Sequence, residues 1–370
     1  MSAQTRIRVL HTAVAAQKKS ITILGATGTI GCNTLKVIAA HPDRFTVNAL
    51  TAGSNVVLLA EQARRFRPDR AVIADPALYG QLKEALQGTG VEAQAGEAAV
   101  LEAAAMPSDI VMSAMVGVAG LKPTLAAIRA GSTVALANKE CLVSAGALVM
   151  REVQKYGAAL LPVDSEHNAI FQLFDFHYPE RIAEVTITAS GGPFRMLTRE
   201  QMQAATPEQA VRHPNWRMGE KISVDSATLM NKALELIEAS YLFPLRADQL
   251  SVLIHPQSVV HCLVRMVDGS VLAQMSHPDM CTPIAHALAW PERIAAPVRA
   301  LNLAEIGQLN FEAPDEERFP ALRLAREVMA AGGNAPTVLN AANEAAVQRF
   351  LRREVGFLDI AKQVEKTLEN

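Results

Sequence analysis

Cysteine is scarce in this chain, and its four cysteines stand far apart. They are Cys32, Cys141, Cys262 and Cys281, and no two of them form a C-x-x-C pair. This spacing argues against both a disulfide framework and a structural zinc site. We therefore expect all four to be buried, reduced thiols.

Long hydrophobic runs and an excess of charge of either sign are also absent. No apolar stretch approaches the roughly 18 residues that a membrane helix needs, and the formal net charge is -2 at pH 7. A chain without an extended basic face is not expected to bind nucleic acid or a membrane surface. Small molecules are therefore the expected ligands of a soluble protein.

Residues 1–19 contain four basic residues and no acidic residue, a composition that organelle transit peptides share. The segment is short, however, and lacks the apolar core of a secretory signal. The preferred interpretation is a variable N-terminal extension on a cytoplasmic bacterial protein, and the alternative is a protein of the plastid stroma.

Short β-branched runs alternate with helix-length amphipathic segments from Ser20 onward. The predicted strands are Ile21–Leu24, Phe45–Leu50, Ala71–Ala74, Asp109–Ala114, Thr133–Ala137 and Leu160–Val163. This alternation is typical of βαβ crossovers, so it predicts an α/β fold with a mostly parallel sheet covered on both faces. We assign residues 20–163 to a Rossmann-like domain, whose ligands should bind at the carboxyl ends of the strands.

The pattern changes after residue 163, where strand-like runs with fewer helices predict a central α+β domain over residues 164–289. Those runs are Ile182–Ala189, Lys221–Val224, Leu250–Ile254, Ser258–Met266 and Ser270–Met275. Residues 290–315 contain three prolines and weak periodicity, so we predict a linker arm there. Helical spacing of alanine and leucine predicts a C-terminal helical domain over residues 316–370.

A Gly-x-x-Gly-x-x-Gly turn over residues 25–31 lies between the first strand and an apolar helix. Glycines allow the backbone to approach a pyrophosphate, and a helix N-terminus offers unpaired N–H groups. The turn therefore predicts dinucleotide binding, with an ordinary tight turn as the alternative. The second strand ends in the sequence TAGSN at residues 51–55, without the carboxylate that usually binds the ribose of NAD. NADPH is thus favoured over NADH.

Two polar clusters follow later strands of the predicted parallel sheet. Lys139 comes after the strand at 133–137 and could bind a substrate oxygen, although a surface lysine at a helix start is an equal alternative. Asp164 and Glu166 follow the next strand, and hard carboxylate ligands of this kind suit Mg²⁺ or Mn²⁺. By themselves the two carboxylates are also typical of an acidic helix N-cap.

Two further motifs predict an anion site. The strand at 182–189 runs into a Ser-Gly-Gly turn at residues 190–192, whose hydroxyl and amides can surround an anion, although a plain turn is an alternative. After Ser226, a helix presents Asn231 and Glu235 at i and i+4, with Lys232 beside them. The alternative for this helix is an ordinary surface Lys–Glu pair.

Residues 213–219, with the sequence HPNWRMG, combine helix breakers with a tryptophan and a histidine. This composition favours a lid that closes over a site, with His213 able to reach a phosphate or hydroxyl. A loop that merely buries its tryptophan is the alternative. We expect the histidines at 255, 261, 277 and 286 to be structural.

The order of these motifs resembles the 1-deoxy-D-xylulose 5-phosphate reductoisomerase family from about Ser20 to near residue 360. Two runs carry the resemblance, LPVDSEHNAIFQ at residues 161–172 and KISVDSAT at residues 221–228. The chain differs from many members in a shorter segment between Asp164 and Ser190, in Ser54 where a basic residue is common, and in less terminal helical sequence.

The resemblance implies a site residue by residue. One Mg²⁺ or Mn²⁺ ion would bind to Asp164, Glu166 and Glu235. The implied catalytic residues are Lys139, Asp164, Glu166, His213 and Glu235. The implied substrate contacts are Lys139, Ser165, Glu166, His213, Trp216, Met218 and Glu235, with Ser190, Ser226, Asn231 and Lys232 around the phosphate. The implied NADPH contacts are Thr27, Gly28, Thr29, Ile30, Gly53, Ser54, Asn55, Asn138, Glu140 and Gly219.

The activity that the resemblance implies is rearrangement of 1-deoxy-D-xylulose 5-phosphate, by retro-aldol cleavage and re-addition, followed by reduction with NADPH to 2-C-methyl-D-erythritol 4-phosphate. This reaction belongs to the methylerythritol phosphate pathway to isoprenoid precursors. The resemblance also implies a homodimer built on the sheet of the central domain, and inhibition by phosphonohydroxamates such as fosmidomycin.

Two rival hypotheses are a metal-free NADP dehydrogenase of the semialdehyde or dihydrodipicolinate type and a catalytically silent NADPH sensor.

Overall fold

The computed structural model describes residues 18–212 and 219–369. Its larger sheet has seven parallel strands in the order β4-β3-β2-β1-β5-β6-β7. These strands are β1 Lys19–Leu24, β2 Phe45–Ala52, β3 Arg70–Ile73, β4 Glu92–Ala95, β5 Ile110–Ser113, β6 Thr133–Leu136 and β7 Leu160–Pro162. The helices that alternate with them are α1 Thr29–Ala40, α2 Val56–Phe66, α3 Tyr79–Ala85, α4 Glu97–Ala104, α5 Leu121–Arg129 and α6 Glu140–Tyr156.

The predicted Rossmann-like α/β sheet is confirmed, and all six predicted strands are present. Both faces of the sheet are covered, so Ile21, Ile23 and Leu24 on β1 are all fully buried. The edge strand β4 was not predicted. Its sequence, Glu-Ala-Gln-Ala, has no β-branched residue and pairs only with β3, so its conformation depends on the neighbouring strand.

A second, four-stranded sheet has the order β11-β10-β8-β9. Its strands are β8 Ile182–Ala189, β9 Leu250–Ile254, β10 Val260–Met266 and β11 Val271–Met275. The pair β8–β9 is parallel, and the other two pairs are antiparallel. The helices of this region are α7 Ser165–Leu173, α8 Arg199–Gln203, α9 Pro207–Ala210, α10 Glu220–Ala227, α11 Met230–Leu242 and α12 Cys281–Ala289.

The strand predicted at Lys221–Val224 is wrong, because these residues lie in helix α10. A short run with β-branched residues does not distinguish a strand from a buried helix. Gly219 is the N-cap, Ser223 Oγ donates to the Gly219 carbonyl at 2.9 Å, and Lys221 pairs with Asp225 one turn later. Contacts along and around the helix thus outweigh the weak strand preference.

The segment predicted as a linker contains one short helix, α13 Leu303–Ile306, and a bridge between Ile254 and Glu312. The predicted C-terminal helices follow as α14 Ala321–Ala331, α15 Ala335–Leu351 and α16 Phe357–Leu368. Helix α12, just before the linker, packs its buried Cys281, Ile284 and Leu288 into the core below the larger sheet.

Three of the four cysteines are buried as expected, but Cys32 is exposed. The prediction was wrong for Cys32 because it lies in the first turn of α1, at the solvent edge of the glycine-rich turn. Within the described ranges, no helix combines the length and hydrophobicity needed to cross a membrane.

Candidate active site

The predicted site residues after β1, β2, β6 and β7 lie along one edge of the larger sheet, because the carboxyl ends of parallel strands share an edge. The strand order reverses between β1 and β5, since the chain fills one side of β1 with β2 to β4 and the other with β5 to β7. In open α/β sheets this reversal opens the crevice where ligands bind.

The glycine-rich turn is tightly packed on its inner side. A Cβ atom at Gly31 would lie 2.4 Å from the Gly25 carbonyl oxygen, and Gly25 itself has a φ of +86°. Two side chains fasten the turn: Thr51 Oγ1 accepts from the Gly25 N–H at 3.1 Å, and Gln62 Nε2 donates to the Ala26 carbonyl at 2.9 Å. Sequence reasoning had not singled out Gln62.

The outer side of the turn is suited to a pyrophosphate. Helix α1 begins after Gly28 without a side-chain cap and without an acidic residue in its first turn. Its first N–H groups are therefore available to an anion. Gly53 at the end of β2 faces open space, and Asn55 caps α2 by accepting from the Leu58 N–H at 3.1 Å. These observations fit a dinucleotide across β1 and β2.

Asn138 and Glu140 follow β6 at the other side of the crevice. Asn138 Nδ2 donates to the carbonyls of Met115 and Gly117, and its Oδ1 accepts from the Cys141 N–H at 3.1 Å. The Asn138 amide thus fastens the start of α6 to the loop after β5. Glu140 is the first residue of α6 and accepts a hydrogen bond from Lys221 at 3.2 Å.

Asp164, Glu166 and Glu235 meet although they come from two helices. Asp164 is the N-cap of α7, Glu166 lies in the first turn of α7, and Glu235 lies in α11. One carboxylate oxygen from each residue lies within 4.8 Å of the others. Three hard oxygen ligands at this separation fit Mg²⁺ or Mn²⁺.

Two lysines neutralise these carboxylates. Lys139 Nζ lies 2.6 Å from Asp164 Oδ2 and 3.0 Å from Glu235 Oε1. Lys232 Nζ lies 2.7 Å from Glu166 Oε1 and 2.5 Å from Glu235 Oε2. Asp164 Oδ2 is buried, and besides Lys139 it lies 3.7 Å from His167 Nδ1. Three carboxylates that meet around two ammonium groups provide the oxygen ligands that a cation site requires.

The pKa values follow from this packing. Burial acts to raise the pKa of Asp164, but Lys139 and His167 together outweigh burial and hold that pKa well below its usual range. Burial acts to lower the pKa of Lys139, but Asp164 and Glu235 raise it well above its ordinary value. The pKa of Glu235 is raised by burial and by Glu166. Glu235 is thus the carboxylate that gains most from a bound cation.

His167 and Glu238 form a second buried layer behind the carboxylates, which the sequence analysis did not predict. His167 Nδ1 lies 3.3 Å from Glu238 Oε2, and His167 Nε2 donates to the Glu235 carbonyl at 2.9 Å. Burial acts to lower the pKa of His167, but Glu238 and Asp164 raise it to about 9. The signal was available in the spacing, since His167 follows Asp164 by three residues and Glu238 follows Glu235 by three.

The predicted phosphate residues lie beside this cluster. The turn after β8 packs against the end of α10, because a Cβ at Gly192 would lie 2.6 Å from the Ser226 carbonyl oxygen. Leu229, between α10 and α11, has a φ of +61°, a left-handed conformation that is costly for leucine. Leu229 separates α10, which contains Ser226, from α11, whose first turn contains Asn231 and Lys232, so Ser226 precedes that helix as predicted.

Ser165 and Gly219 are placed at the ends of helices. Ser165 is the first residue of α7, and its Oγ donates to Glu166 Oε2 at 2.6 Å. Gly219 is the N-cap of α10. The predicted lid residues His213, Trp216 and Met218 lie outside the described residues.

Family models match most of the chain. The 1-deoxy-D-xylulose 5-phosphate reductoisomerase model matches residues 21–146, the C-terminal domain of the same family matches residues 160–243, and the DXP reductoisomerase C-terminal domain matches residues 275–370. The 1-deoxy-D-xylulose 5-phosphate reductoisomerase of Rhodospirillum centenum is 61% identical over 350 residues, which cover 95% of this chain and 87% of that protein.

Solved structures agree with these matches. The 1-deoxy-D-xylulose 5-phosphate reductoisomerase from Zymomonas mobilis in complex with NADPH has a TM-score of 0.91 and 56% identity, covering 95% of this chain and 92% of that one. A DOX-P reductoisomerase in complex with NADPH, fosmidomycin and magnesium has a TM-score of 0.92 and 47% identity, covering 95% of this chain and 89% of that one. This chain therefore belongs to the 1-deoxy-D-xylulose 5-phosphate reductoisomerase family.

Proposed function

We propose that this chain converts 1-deoxy-D-xylulose 5-phosphate to 2-C-methyl-D-erythritol 4-phosphate with NADPH and one Mg²⁺ or Mn²⁺ ion. The observation that carries the proposal is the cluster of Asp164, Glu166 and Glu235, with two lysines, at the carboxyl edge of a sheet that also bears a dinucleotide turn. A cation site and a dinucleotide site on one edge suit a reaction that both rearranges and reduces one substrate.

In this proposal, the three carboxylates hold the cation. Once bound, the cation supplies Lewis-acid stabilisation of the negative charge that develops on the substrate oxygens as the carbon–carbon bond breaks. Lys139 is charged and already lies between Asp164 and Glu235, so it can donate a hydrogen bond to the same oxygens. NADPH supplies the hydride that reduces the rearranged aldehyde.

The substrate phosphate is proposed to bind Ser190, Ser226, Asn231 and Lys232, with Ser165 at the reacting end. Lys232 is charged because the Glu166 and Glu235 carboxylates outweigh the effect of burial and raise its pKa. Phosphate binding away from the reacting carbons orients the substrate, so a dephosphorylated substrate should lose kcat as well as affinity.

NADPH is proposed to bind along the crevice between α1, α2 and the start of α6. The residues assigned to it are Thr27, Gly28, Thr29, Ile30, Gly53, Ser54, Asn55, Asn138, Glu140 and Gly219. The open N-terminus of α1 suits the pyrophosphate.

A metal-free NADP dehydrogenase is not favoured. It would leave the cluster of Asp164, Glu166 and Glu235 without a chemical role. A silent NADPH sensor leaves the same cluster unexplained.

The test is NADPH oxidation with 1-deoxy-D-xylulose 5-phosphate in Mg²⁺, then after chelation, then after Mg²⁺ is restored. Turnover should stop on chelation and return with the cation, and fosmidomycin should inhibit the turnover measured in Mg²⁺. Turnover that survives chelation would favour the dehydrogenase, and NADPH binding without turnover in any metal would favour the sensor.

The proposed location is the bacterial cytoplasm, and the proposed assembly is a homodimer through the four-stranded sheet. Its edge strand β11 and the turn before it expose Val267, Val271 and Leu272. Light scattering should give twice the chain mass, and Leu272→Glu should lower that mass. A monomeric wild type would contradict the dimer.

A further inference from the structure

Lys221 is a nearly enclosed lysine to which the proposed reaction gives no role. It lies in the first turn of α10, and its side chain is 18% exposed. Its Nζ donates to Glu140 Oε1 at 3.2 Å and lies 2.9 Å from Asp225 Oδ2. Burial acts to lower the pKa of Lys221, but the two carboxylates raise it above its ordinary value, so Lys221 is charged at neutral pH.

Asp225 is held in turn by the C-terminal helices. Its side chain is 1% exposed, and its Oδ1 accepts a hydrogen bond from Asn343 Nδ2 at 2.8 Å. Asn343 lies in α15, 118 residues further along the chain. We call the chain of contacts from Asn343 through Asp225 and Lys221 to Glu140 the polar brace. It joins α15, α10 and the start of α6.

Helix α15 also contacts α6 directly. Thr337 Oγ1 donates to the Ser144 carbonyl at 2.7 Å, and Asn340 Nδ2 donates to Ser144 Oγ at 3.4 Å. Thr337, Asn340 and Asn343 are spaced by three residues and share one face of the helix. Burying a polar helix face has a desolvation free energy that an apolar face would avoid. The hydrogen bonds of this face define the geometry between the C-terminal helices and the start of α6.

The polar brace ends at Glu140, whose Oε1 accepts a hydrogen bond from Lys221 at 3.2 Å. Glu140 opens α6 directly after Asn138 and Lys139, at the carboxyl end of β6 where the crevice lies. Lys221 binds one of its carboxylate oxygens, and no other described residue donates to Oε2. Among the described residues, Glu140 Oε2 therefore has no hydrogen-bond donor, while Lys221 anchors Oε1.

We infer that Lys221, Asp225 and Asn343 are positioning residues that hold the Glu140 carboxylate for NADPH, so that the C-terminal helices contribute to cofactor binding from a distance. This inference rests on the proposed role of Glu140 in binding NADPH. Lys221 fixes the carboxylate, Asp225 fixes Lys221, and Asn343 fixes Asp225.

The test is a double-mutant cycle on NADPH affinity, measured by fluorescence titration of the full chain without substrate or metal. Lys221→Met should weaken NADPH binding about tenfold, the lower end of the loss seen when a group that orients a ligand is removed. In the Glu140→Gln background the same change should alter affinity by less than about twofold, because a residue that acts through Glu140 has nothing left to position. Lys122→Met, which removes an exposed ion pair with Glu97, is the matched control and should have no effect.

Asn343→Leu gives a second measurement from the far end of the brace and leaves every charge in place. It should weaken NADPH binding in the same direction and by a smaller factor, with no change in Mg²⁺ affinity. Lys221→Arg, which keeps the charge, should restore most of the affinity lost in Lys221→Met.

Two results would overturn the inference. One is an equal loss of NADPH affinity from Lys221→Met in the wild-type and Glu140→Gln backgrounds, since Lys221 would then act independently of Glu140. The other is unchanged affinity in both Lys221→Met and Asn343→Leu. Turnover of the wild type is measured in a separate experiment. If the proposed reaction fails there, NADPH affinities can still be measured, so failure of the reaction and failure of this inference are distinguishable.

Discussion

Glu235 is the most enclosed of the three carboxylates at the site, with a side chain that is 1% exposed. It accepts hydrogen bonds from Lys139, Asn231 and Lys232. Burial and the neighbouring Glu166 raise its pKa, so the charged form depends on nearby cations. The backbone carbonyl of Glu235 also accepts a hydrogen bond from His167 Nε2 at 2.9 Å, which links α11 to α7.

Glu235→Gln should lower kcat at least about a hundredfold, the scale of loss when one group that stabilises transition-state charge is removed. Glutamine keeps the size of the side chain but removes the negative charge of a proposed cation ligand. NADPH oxidation measured over a range of Mg²⁺ concentrations checks this, with Glu327→Gln on α14 as an exposed control. Near wild-type kcat at ordinary Mg²⁺ would contradict the ligand assignment.

His286 is half-buried and makes stability depend on pH. Burial, with a smaller contribution from Arg293, lowers its pKa from 6.5 to about 4 in the folded chain. The unfolded chain therefore takes up a proton first as the pH falls below 6.5, and stability is lost between pH 6.5 and pH 4. Below pH 4 both states are protonated at this residue, so its contribution levels off.

His286→Gln should flatten the decline of the free energy of unfolding between pH 6.5 and pH 4, because glutamine does not titrate. Denaturant unfolding at a series of pH values measures this slope. His177→Gln, at an exposed position, should leave the slope unchanged. Equal slopes in the wild type and His286→Gln would show that His286 is not the group responsible.

At the scale of elements, the junction of β1 and α1 is the most constrained part of the cofactor site. A side chain at Gly31 would meet backbone atoms of Gly25 and Ala26 within 2.6 Å, and backbone cannot move aside cheaply. In the proposed cofactor site, the same turn presents its N–H groups to the pyrophosphate of NADPH. Packing and function therefore require glycine at one position.

Gly31→Ala should weaken NADPH binding and lower the melting temperature together. Gly80→Ala is the matched control, because Gly80 lies inside α3 and a Cβ added there would meet no neighbouring atom within 4 Å. The control should be neutral or stabilise by about 0.5–1 kcal/mol through helix propensity. Fluorescence titration measures the NADPH affinity, and thermal melts measure the melting temperature. Full NADPH affinity in Gly31→Ala would contradict the proposed role of the turn.

Elements differ in how far sequence predicts them. The buried strands of the larger sheet were predicted because continuous apolar runs between glycine-rich turns have few other solutions. Helix α10 was not predicted, because its residues have similar preferences for strand and helix. The contacts of Gly219, Lys221 and Asp225 determine that it is a helix. Strand β4 was missed because pairing with β3, rather than side-chain preference, makes it a strand.

At the scale of the whole molecule, Lys139 joins the larger sheet to α11. Its Nζ donates to Asn231 Oδ1 at 2.8 Å and to Glu235 Oε1 at 3.0 Å, and it also pairs with Asp164. A bound cation and this ammonium group would share the same carboxylate oxygens. Metal binding and the stability of the contact between the larger sheet and α11 are therefore linked.

Lys139→Met should destabilise the metal-free protein by about 3–5 kcal/mol, because it removes one of the two ammonium groups that neutralise the three carboxylates. Mg²⁺ should then raise the melting temperature of Lys139→Met more than that of the wild type, since it replaces the missing charge. Thermal melts with and without Mg²⁺ measure both effects. An equal or smaller rise in Lys139→Met would mean that the cation does not bind beside Lys139.

The sequence by itself determined the alternating α/β architecture, the dinucleotide turn, and the residues that resemble one family of reductoisomerases. These features are local, because hydrophobic spacing, glycine positions and short motifs act within a few residues. Only the tertiary structure decided that Asp164 and Glu235 meet, that His167 and Glu238 lie behind them, and that Asn343 reaches Asp225. The physical reason is that burial and charge pairing between distant segments depend on how helices pack, and no local pattern specifies that packing.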